Sequence, residues 1–324
     1  MSSGGLAPLI LPATSAPLDL SRLESARPRY GEVIIKGLLV LAAMVSVLTT
    51  LGIVVALTGP AIDFFRSVGL TEYLTSKNWS PTFEPAAFGA RPLFTATFII
   101  TLIAVAIAIP LGLAAAVFLS EYASSGFRKT VKPVLEILAG VPTVVYGFFA
   151  LTFITPNILQ KIPGLGGQAK VNVYNALSAG IVMGFMILPT VASLSEDALT
   201  AVPGSLRQGS LALGANKFQT TVKVVIPAAI SGLISSFILA VSRAVGETMV
   251  VTIAAGAIAS SSLDPRNSMQ TITSFIAQIA QGDVPNGSVI YKTLFALGLT
   301  LFLITLALNA VSIRLVRRFR EVYE

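Results

Sequence analysis

The sequence predicts an all-α integral membrane protein that crosses the bilayer about six times. Apolar residues make up 54% of the 324 positions, and charged residues only 11%. Mean hydropathy is +0.82, and a water-soluble domain of this size could not hide so much apolar surface in one core. The medium around the chain is therefore expected to be lipid.

Composition also limits the chemistry that the chain can perform. It contains no cysteine and no histidine, which excludes disulfides, thiolate nucleophiles, zinc sites of the usual kind and imidazole proton relays. The net charge is +7. In a membrane protein the distribution of basic residues among the loops matters more than their sum, and we expect no nucleic-acid partner.

Six apolar stretches are each long enough to cross about 30 Å of hydrocarbon as a helix. They cover residues 34–58, 94–119, 134–155, 173–194, 228–258 and 290–313. Gly59-Pro60 is a natural stop for the first stretch, whereas Pro110, Pro142 and Pro189 are expected to kink later ones. Together the stretches predict one membrane domain over residues 34–313.

Lysine and arginine predict the orientation of the chain. Of 22 such residues, 14 lie near the tails, residues 1–33 and 314–324, or in the second and fourth loops, and seven lie on the other side. Both termini are therefore expected in the cytoplasm. The long outward loop 59–93 carries Trp79, Phe83 and Phe88, aromatics typical of the membrane interface or, alternatively, of contact with an external partner.

The cytoplasmic loop 195–227 is predicted to contain a short helix. Pro203-Gly204-Ser205 opens it, and Gly214 is suited to the left-handed conformation that ends a helix. The alternative is a surface helix that only rests on the bilayer, with leucines on one side and cations on the other.

This loop resembles the cytoplasmic loop of the membrane subunits of ATP-binding-cassette (ABC) importers. There the pattern E-A-A, three residues, glycine, nine residues, I-x-L-P docks into a separate ATPase subunit. Gln208-Gly209-Ser210 stands at E-A-A, Gly214 at the glycine and Val224-Val225-Ile226-Pro227 at I-x-L-P. Gln208 departs from the acidic position, so a hydrogen bond would replace a salt bridge there.

The resemblance implies the type I ABC importer permease fold. It also assigns ATPase coupling to seven residues: Leu206, Arg207, Gln208, Gly209, Leu211, Gly214 and Pro227. The chain has no G-x-x-x-x-G-K-[ST] phosphate cradle, so it is expected to be no ATPase and no enzyme, and to depend on a partner for energy.

A charged pair in the fifth stretch marks a candidate substrate pathway. Arg243 and Glu247 are four residues apart, which on a continuous helix places them on one face and within pairing distance. Each charge costs on the order of 2.5–3.5 kcal/mol at the bilayer centre. We expect Arg243 to offer planar hydrogen-bond donors to a passing oxyanion, and Glu247 to hold the arginine side chain in place between transport events. A structural ion pair is the alternative.

Glu136, at the cytoplasmic start of the third stretch, is a further pathway candidate. The alternative for this residue is a surface charge that snorkels to the interface.

Four segments narrow the resemblance to the permeases of phosphate importers, PstC-like rather than PstA-like. They are residues 109–123 (IPLGLAAAVFLSEYA), 138–147 (LAGVPTVVYG), 206–227 (LRQGSLALGANKFQTTVKVVIP) and 242–251 (SRAVGETMVV). The likeness covers roughly residues 79–260.

This likeness implies a subunit of the bacterial inner membrane that forms half of a pathway for inorganic phosphate. Its partners would be a second, PstA-like permease, two PstB-like ATPase subunits that bind ATP and Mg, and an extracytoplasmic PstS-like phosphate-binding protein. No cofactor is expected in this chain. The alternatives are another oxyanion (sulfate, molybdate or tungstate) and an ATP-independent anion channel or carrier. A membrane enzyme would lack acid, base and nucleophile groups.

Overall fold

The computed structural model describes residues 30–163 and 171–319. The predictions for residues 1–29, Lys170 and residues 320–324 lie outside the described residues. In chain order the helices are α1 (Tyr30–Val68), α2 (Leu70–Thr75), α3 (Arg91–Val117), α4 (Ser125–Ala139), α5 (Thr143–Phe149), α6 (Ala176–Thr200), α7 (Gly204–Ala212), α8 (Lys217–Thr220), α9 (Ile226–Ala228), α10 (Ile230–Val245), α11 (Met249–Ala254), α12 (Ile272–Gln281) and α13 (Val289–Phe319).

Shorter elements join these helices. π-Helical segments follow α3 (Phe118–Tyr122), α5 (Ala150–Ile158) and α8 (Thr221–Val225), and Leu159–Lys161 forms a 3-10 turn. The strands β1 (Trp79–Ser80) and β2 (Ala87–Phe88) pair antiparallel, with Trp79 opposite Phe88.

Within the described residues, five helical segments are long and apolar enough to cross a membrane. They are Gly31–Val68, Arg91–Tyr122, Thr143–Lys161, Ala176–Thr200 and Val289–Arg318. A sixth span results if Lys217–Ala228 and Ile230–Val245, which meet at 71°, count as one. The predicted all-α fold with about six crossings is confirmed.

The helix α1 belongs to two compact units, Met1–Ile53 and Val54–Glu324. In the first unit every side chain from Gly31 to Ile53 is exposed. In the second unit α1 runs through Pro60 to Val68, so the predicted stop at Gly59-Pro60 is wrong. Ala61 and Phe64 are fully buried there, and this packing supports the helix beyond a proline that membrane helices tolerate.

Two predicted spans are divided by breaks in the backbone. The stretch 134–155 is split because α4 ends at Ala139 and α5 begins at Thr143; Pro142 stands before a helix and does not kink one. The stretch 228–258 is split because α10 ends at Val245 and α11 begins at Met249. Hydropathy averaged over about 19 residues cannot reveal these breaks, because each involves only a few residues between apolar segments.

The helices α3 and α6 pack closely because small residues line their contact. A Cβ atom on Gly180 would lie 2.8 Å from Cβ of Ile103, and one on Gly184 would lie 2.9 Å from the carbonyl oxygen of Ala104. Larger side chains would push the backbones apart. This tightly packed pair carries several residues of the candidate sites.

Besides the core between α3 and α6, aromatic side chains form a core between α1, β1, β2, α3 and α12. The ring centroids of Trp79 and Phe275 are 4.9 Å apart, and those of Trp79 and Phe88 are 6.5 Å apart. Trp79 is buried and Phe88 half-buried, whereas Phe83 is 72% exposed. Of the three aromatics expected at an interface, two therefore pack inside the chain.

Candidate functional site

Arg243 lies in the last turn of α10 and points toward α6. Its Nη1 donates a hydrogen bond of 2.9 Å to the hydroxyl oxygen of Thr190, and the side chain is half-buried. Thr190 follows Pro189 inside α6. The arginine is therefore held by a neutral hydroxyl on the neighbouring helix.

The predicted ion pair between Arg243 and Glu247 is wrong. The prediction assumed one continuous helix, but α10 ends at Val245 and Gly246 follows as its C-cap. Glu247 instead precedes Thr248, the N-cap residue of α11, and its side chain caps the start of that helix: its Oε1 accepts hydrogen bonds from the backbone N–H groups of Met249 (3.0 Å) and Val250 (3.2 Å). Within residues 30–163 and 171–319 no ion pair joins the two.

The positive charge of Arg243 is consequently not neutralised by a carboxylate within the described part of the chain. Among the described residues, Thr190 is the side chain that forms a hydrogen bond with Arg243, so the guanidinium keeps several donors for a further ligand.

Glu136 is exposed on α4, an amphipathic helix without a buried residue. It lines a cavity of about 540 Å³ together with Arg128, Lys129 and Lys132. Among the described residues, no hydrogen bond or ion pair joins Glu136 to Arg243 or to Glu247. The assignment of these three residues to a substrate pathway therefore stays a prediction.

The predicted short helix of the 195–227 loop is present as α7, and Gly214 has φ +85° just beyond its end. The predicted coupling residues fall into two groups. The exposed ones are Gln208, Gly209, Leu211, Gly214 and Pro227. Leu206 and Arg207 are half-buried and face the rest of the protein, so they are less accessible to a partner subunit than the exposed group.

Sequence reasoning missed a buried carboxylate beside this loop. Glu196 of α6 is 1% exposed and forms ion pairs with Arg128 and with Lys132, the latter at 2.9 Å. Lys132 also contacts Asp197 at 2.5 Å. These pairs tie α4 to the end of α6.

The sequence analysis also missed Thr190 and Glu121. Nothing in the sequence around Thr190, a threonine within an apolar run, indicates that Arg243 is its partner. Glu121, near the end of the run 109–123, could have been suspected, because a carboxylate buried at a helix end requires a cation.

These features define a polytopic membrane protein with an intramembrane arginine and a helical loop between two of its spans. Residues 108–321 match the family model described as "Binding-protein-dependent transport system inner membrane component". The chain belongs to this family, the permease subunits of ABC importers, in which the ATPase is a separate subunit.

Individual relatives agree with this assignment. The chain is 37% identical to the "Probable ABC transporter permease protein YqgH" of Bacillus subtilis, over 86% of this chain and 87% of that protein. It is 31% identical to the "Phosphate transport system permease protein PstC" of Mesorhizobium japonicum, over 84% of this chain and 86% of that protein.

A solved structure shows the same fold. The bacterial alginate ABC transporter, in complex with an alginate pentasaccharide-bound periplasmic protein, contains a chain that matches with a TM-score of 0.61 at 12% identity, over 92% of this chain and 100% of that one. The fold is that of type I ABC importer permeases. Membership implies a substrate-binding protein, an ATPase and a second permease as partners.

Proposed function

We propose that this chain is the PstC-like permease subunit of an ATP-driven importer of inorganic phosphate. The observation that carries the proposal is Arg243, an intramembrane cation held by the Thr190 hydroxyl and free of any carboxylate partner in the described part of the chain. A guanidinium offers a planar fork of donors that matches a phosphate oxyanion. Similarity to a PstC protein over most of both chains supports the same substrate.

The other subunits of the transporter are proposed from the family to which the chain belongs and from its similarity to PstC proteins. A PstA-like permease would supply the other half of the pathway, and two PstB-like subunits would bind ATP and Mg. A PstS-like protein would deliver phosphate from outside. The exposed group on and beside α7 would meet the ATPase. α7 and both termini would then lie in the cytoplasm of a bacterial inner-membrane protein, as the distribution of basic residues predicts.

Glu247 keeps a place in the proposed pathway, with a changed function. As the cap of α11 it shapes the break between α10 and α11, beside which Arg243 lies. Transport would proceed by alternating access, in which rocking of the spans exposes Arg243 first to one side of the membrane and then to the other.

Reconstituted complexes test the proposal. Permeases and ATPase subunits are placed in liposomes with a phosphate-binding protein outside and ATP inside, and uptake of radiolabelled phosphate is measured. We expect uptake that requires ATP and resists competition by sulfate, molybdate and tungstate. Preferential uptake of one of these three anions would change the assigned substrate.

A second experiment tests the alternative that the chain is an ATP-independent anion channel or carrier. The purified chain, reconstituted without other subunits, is expected to pass no phosphate down its gradient. Rapid passage would overturn the ABC importer mechanism for this chain, because a channel needs no ATPase.

A further inference from the structure

Arg207 does not reach outward from α7. Its Nε and Nη2 donate to Oε1 of Glu121 at 3.2 and 2.8 Å. Its Nη1 donates to the carbonyl oxygen of Val202 at 2.6 Å, and Nη2 also donates to that of Leu199 at 2.8 Å. One guanidinium therefore joins α7 to the end of α6 and to the π-helical turn that follows α3.

Glu121 is the partner that most needs a donor, because its side chain is only 7% exposed and its charge requires compensation. The carbonyl oxygen of Leu199 also accepts from the backbone N–H of Val202 at 3.3 Å, so Arg207 adds a second donor at this helix end, where carbonyl groups are otherwise left without intrahelical partners. A planar guanidinium satisfies all of them at once, whereas the point charge of a lysine reaches fewer.

A second cation from the same loop contacts the adjacent residue. Nζ of Lys217, the first residue of α8, lies 5.0 Å from the ring centroid of Tyr122. α7 and α8 are themselves joined by a 3.0 Å hydrogen bond between Ser210 and Thr220. Consecutive residues of the turn Phe118–Tyr122 are thus both held by cations of the 203–227 loop.

α7 lies at the surface. The helix has no buried residue, and of its apolar side chains Leu206 is the one that packs partly against a buried cluster. Within the described residues, Arg207 is the α7 side chain that forms hydrogen bonds with the end of α6 and with the turn Phe118–Tyr122.

We infer that Arg207 is a positioning residue that transmits movement of α7 to α3 and α6, with the turn Phe118–Tyr122 as the receiving element. α6 accepts Arg207 at Leu199 and Arg243 at Thr190. The two positions are nine residues apart in the sequence, which is about 13 Å along a helix. Because α3 and α6 are closely packed, they move together. The inference rests on the proposed coupling of α7 to an ATPase.

Variants at both ends of this contact test it in the reconstituted complex. Arg207→Met removes every donor, Arg207→Lys keeps the charge, and Glu121→Gln keeps the shape of its partner. We expect each variant to co-purify with the ATPase and hydrolyse ATP, while phosphate uptake per ATP falls at least about fivefold for Arg207→Met, with Arg207→Lys intermediate. Lys129→Met, which removes an exposed charge from α4, is the control and should match the wild type.

The outcomes distinguish a failure of the inference about Arg207 from a failure of the proposed phosphate-importer function. Normal uptake per ATP in Arg207→Met overturns the inference, and so does loss of ATPase co-purification, which would place Arg207 in the docking surface. Absence of ATP-driven phosphate uptake in the wild type would instead be a failure of the proposed function.

A distance measurement needs no transported solute. Because the chain has no cysteine, spin labels can be placed by Leu213→Cys beside α7 and Leu111→Cys on α3. Their separation should stay constant on ATP binding in the wild type and shift by about 2 Å or more in Arg207→Met. A separation that changes equally in both proteins contradicts a rigid link.

Discussion

Thr190 and Arg243 join α6 to α10 through a hydrogen bond of 2.9 Å. The threonine hydroxyl is a neutral partner for a guanidinium in an apolar region, and it leaves most of the arginine's donors for another ligand. Removal of this hydroxyl should therefore affect the positioning of Arg243 and not its charge.

Thr190→Val is expected to lower phosphate uptake strongly. A hydrogen bond to a charged group contributes about 1.5–3 kcal/mol, so a loss of about tenfold or more in uptake rate at low phosphate should follow. Thr190→Ser keeps the hydroxyl and is the matched control. Equal uptake by the valine and serine variants would show that Thr190 does not position Arg243.

Arg243→Met should leave the complex assembled and abolish ATP-driven phosphate uptake. Without the guanidinium, no cation remains at this position to stabilise an oxyanion in a medium of low dielectric constant. Size-exclusion chromatography with the ATPase subunits checks assembly, and liposome uptake checks transport. Normal uptake by the variant would make Arg243 dispensable and remove the main support for an anion pathway here.

Substitutions of Glu247 distinguish a helix cap from an ion-pair partner. Glu247→Gln keeps an oxygen that can accept from the N–H groups of Met249 and Val250, so most uptake should remain. Glu247→Ala loses the cap, at a cost of about 1 kcal/mol, and uptake should fall about fivefold. If glutamine is as harmful as alanine, the negative charge matters and a pairing with Arg243 during transport must be reconsidered.

The contrast between predicted and observed features has a physical basis. Membrane spans are predictable because each must be apolar over its own length, a property read from neighbouring residues. The end of α7 was equally local, because Gly214 alone supplies the left-handed conformation. The Arg243–Glu247 pair failed because spacing assumes an unbroken helix, and the turn at Gly246 is decided by packing among several elements.

Contacts between distant segments could not be predicted in this way. Thr190 and Arg243 are 53 residues apart, and Glu121 and Arg207 are 86 residues apart. Nothing in the local sequence of one residue specifies the other, and only the packing of α3, α6 and α10 brings them together.

Gly214→Val should weaken the association with the ATPase. At φ +85° a residue with a Cβ costs about 1–2 kcal/mol, and valine at the higher end, so the end of α7 should shift and binding should fall about tenfold. Gly204→Val is the matched control, since that glycine has open space for a Cβ and no positive φ. Unchanged co-purification of the Gly214 variant would remove this end of α7 from the docking surface.

The tether between α4 and α6 should be stable to high pH. The hydrogen bond from Lys132 to Asp197, and to a smaller extent the one to Glu196, raises the pKa of the lysine amine above its ordinary value of 10.5. Because the pKa is raised by folding, the stabilisation is complete below pH 10.5 and is lost only as the pH rises through the higher, folded value.

A spin label on α4 checks this prediction. Attached through Ile137→Cys, it should gain mobility only above about pH 10.5, the ordinary lysine pKa. In Lys132→Met the label should already be more mobile at pH 7, because the remaining Arg128 compensates the buried Glu196 only in part. Lys129→Met is the control, since its exposed amine has no hydrogen bond or ion pair within the described residues, and its profile should follow the wild type. If Lys132→Met also follows the wild type, Arg128 alone holds α4 to α6, and the lysine contacts contribute nothing measurable to the tether.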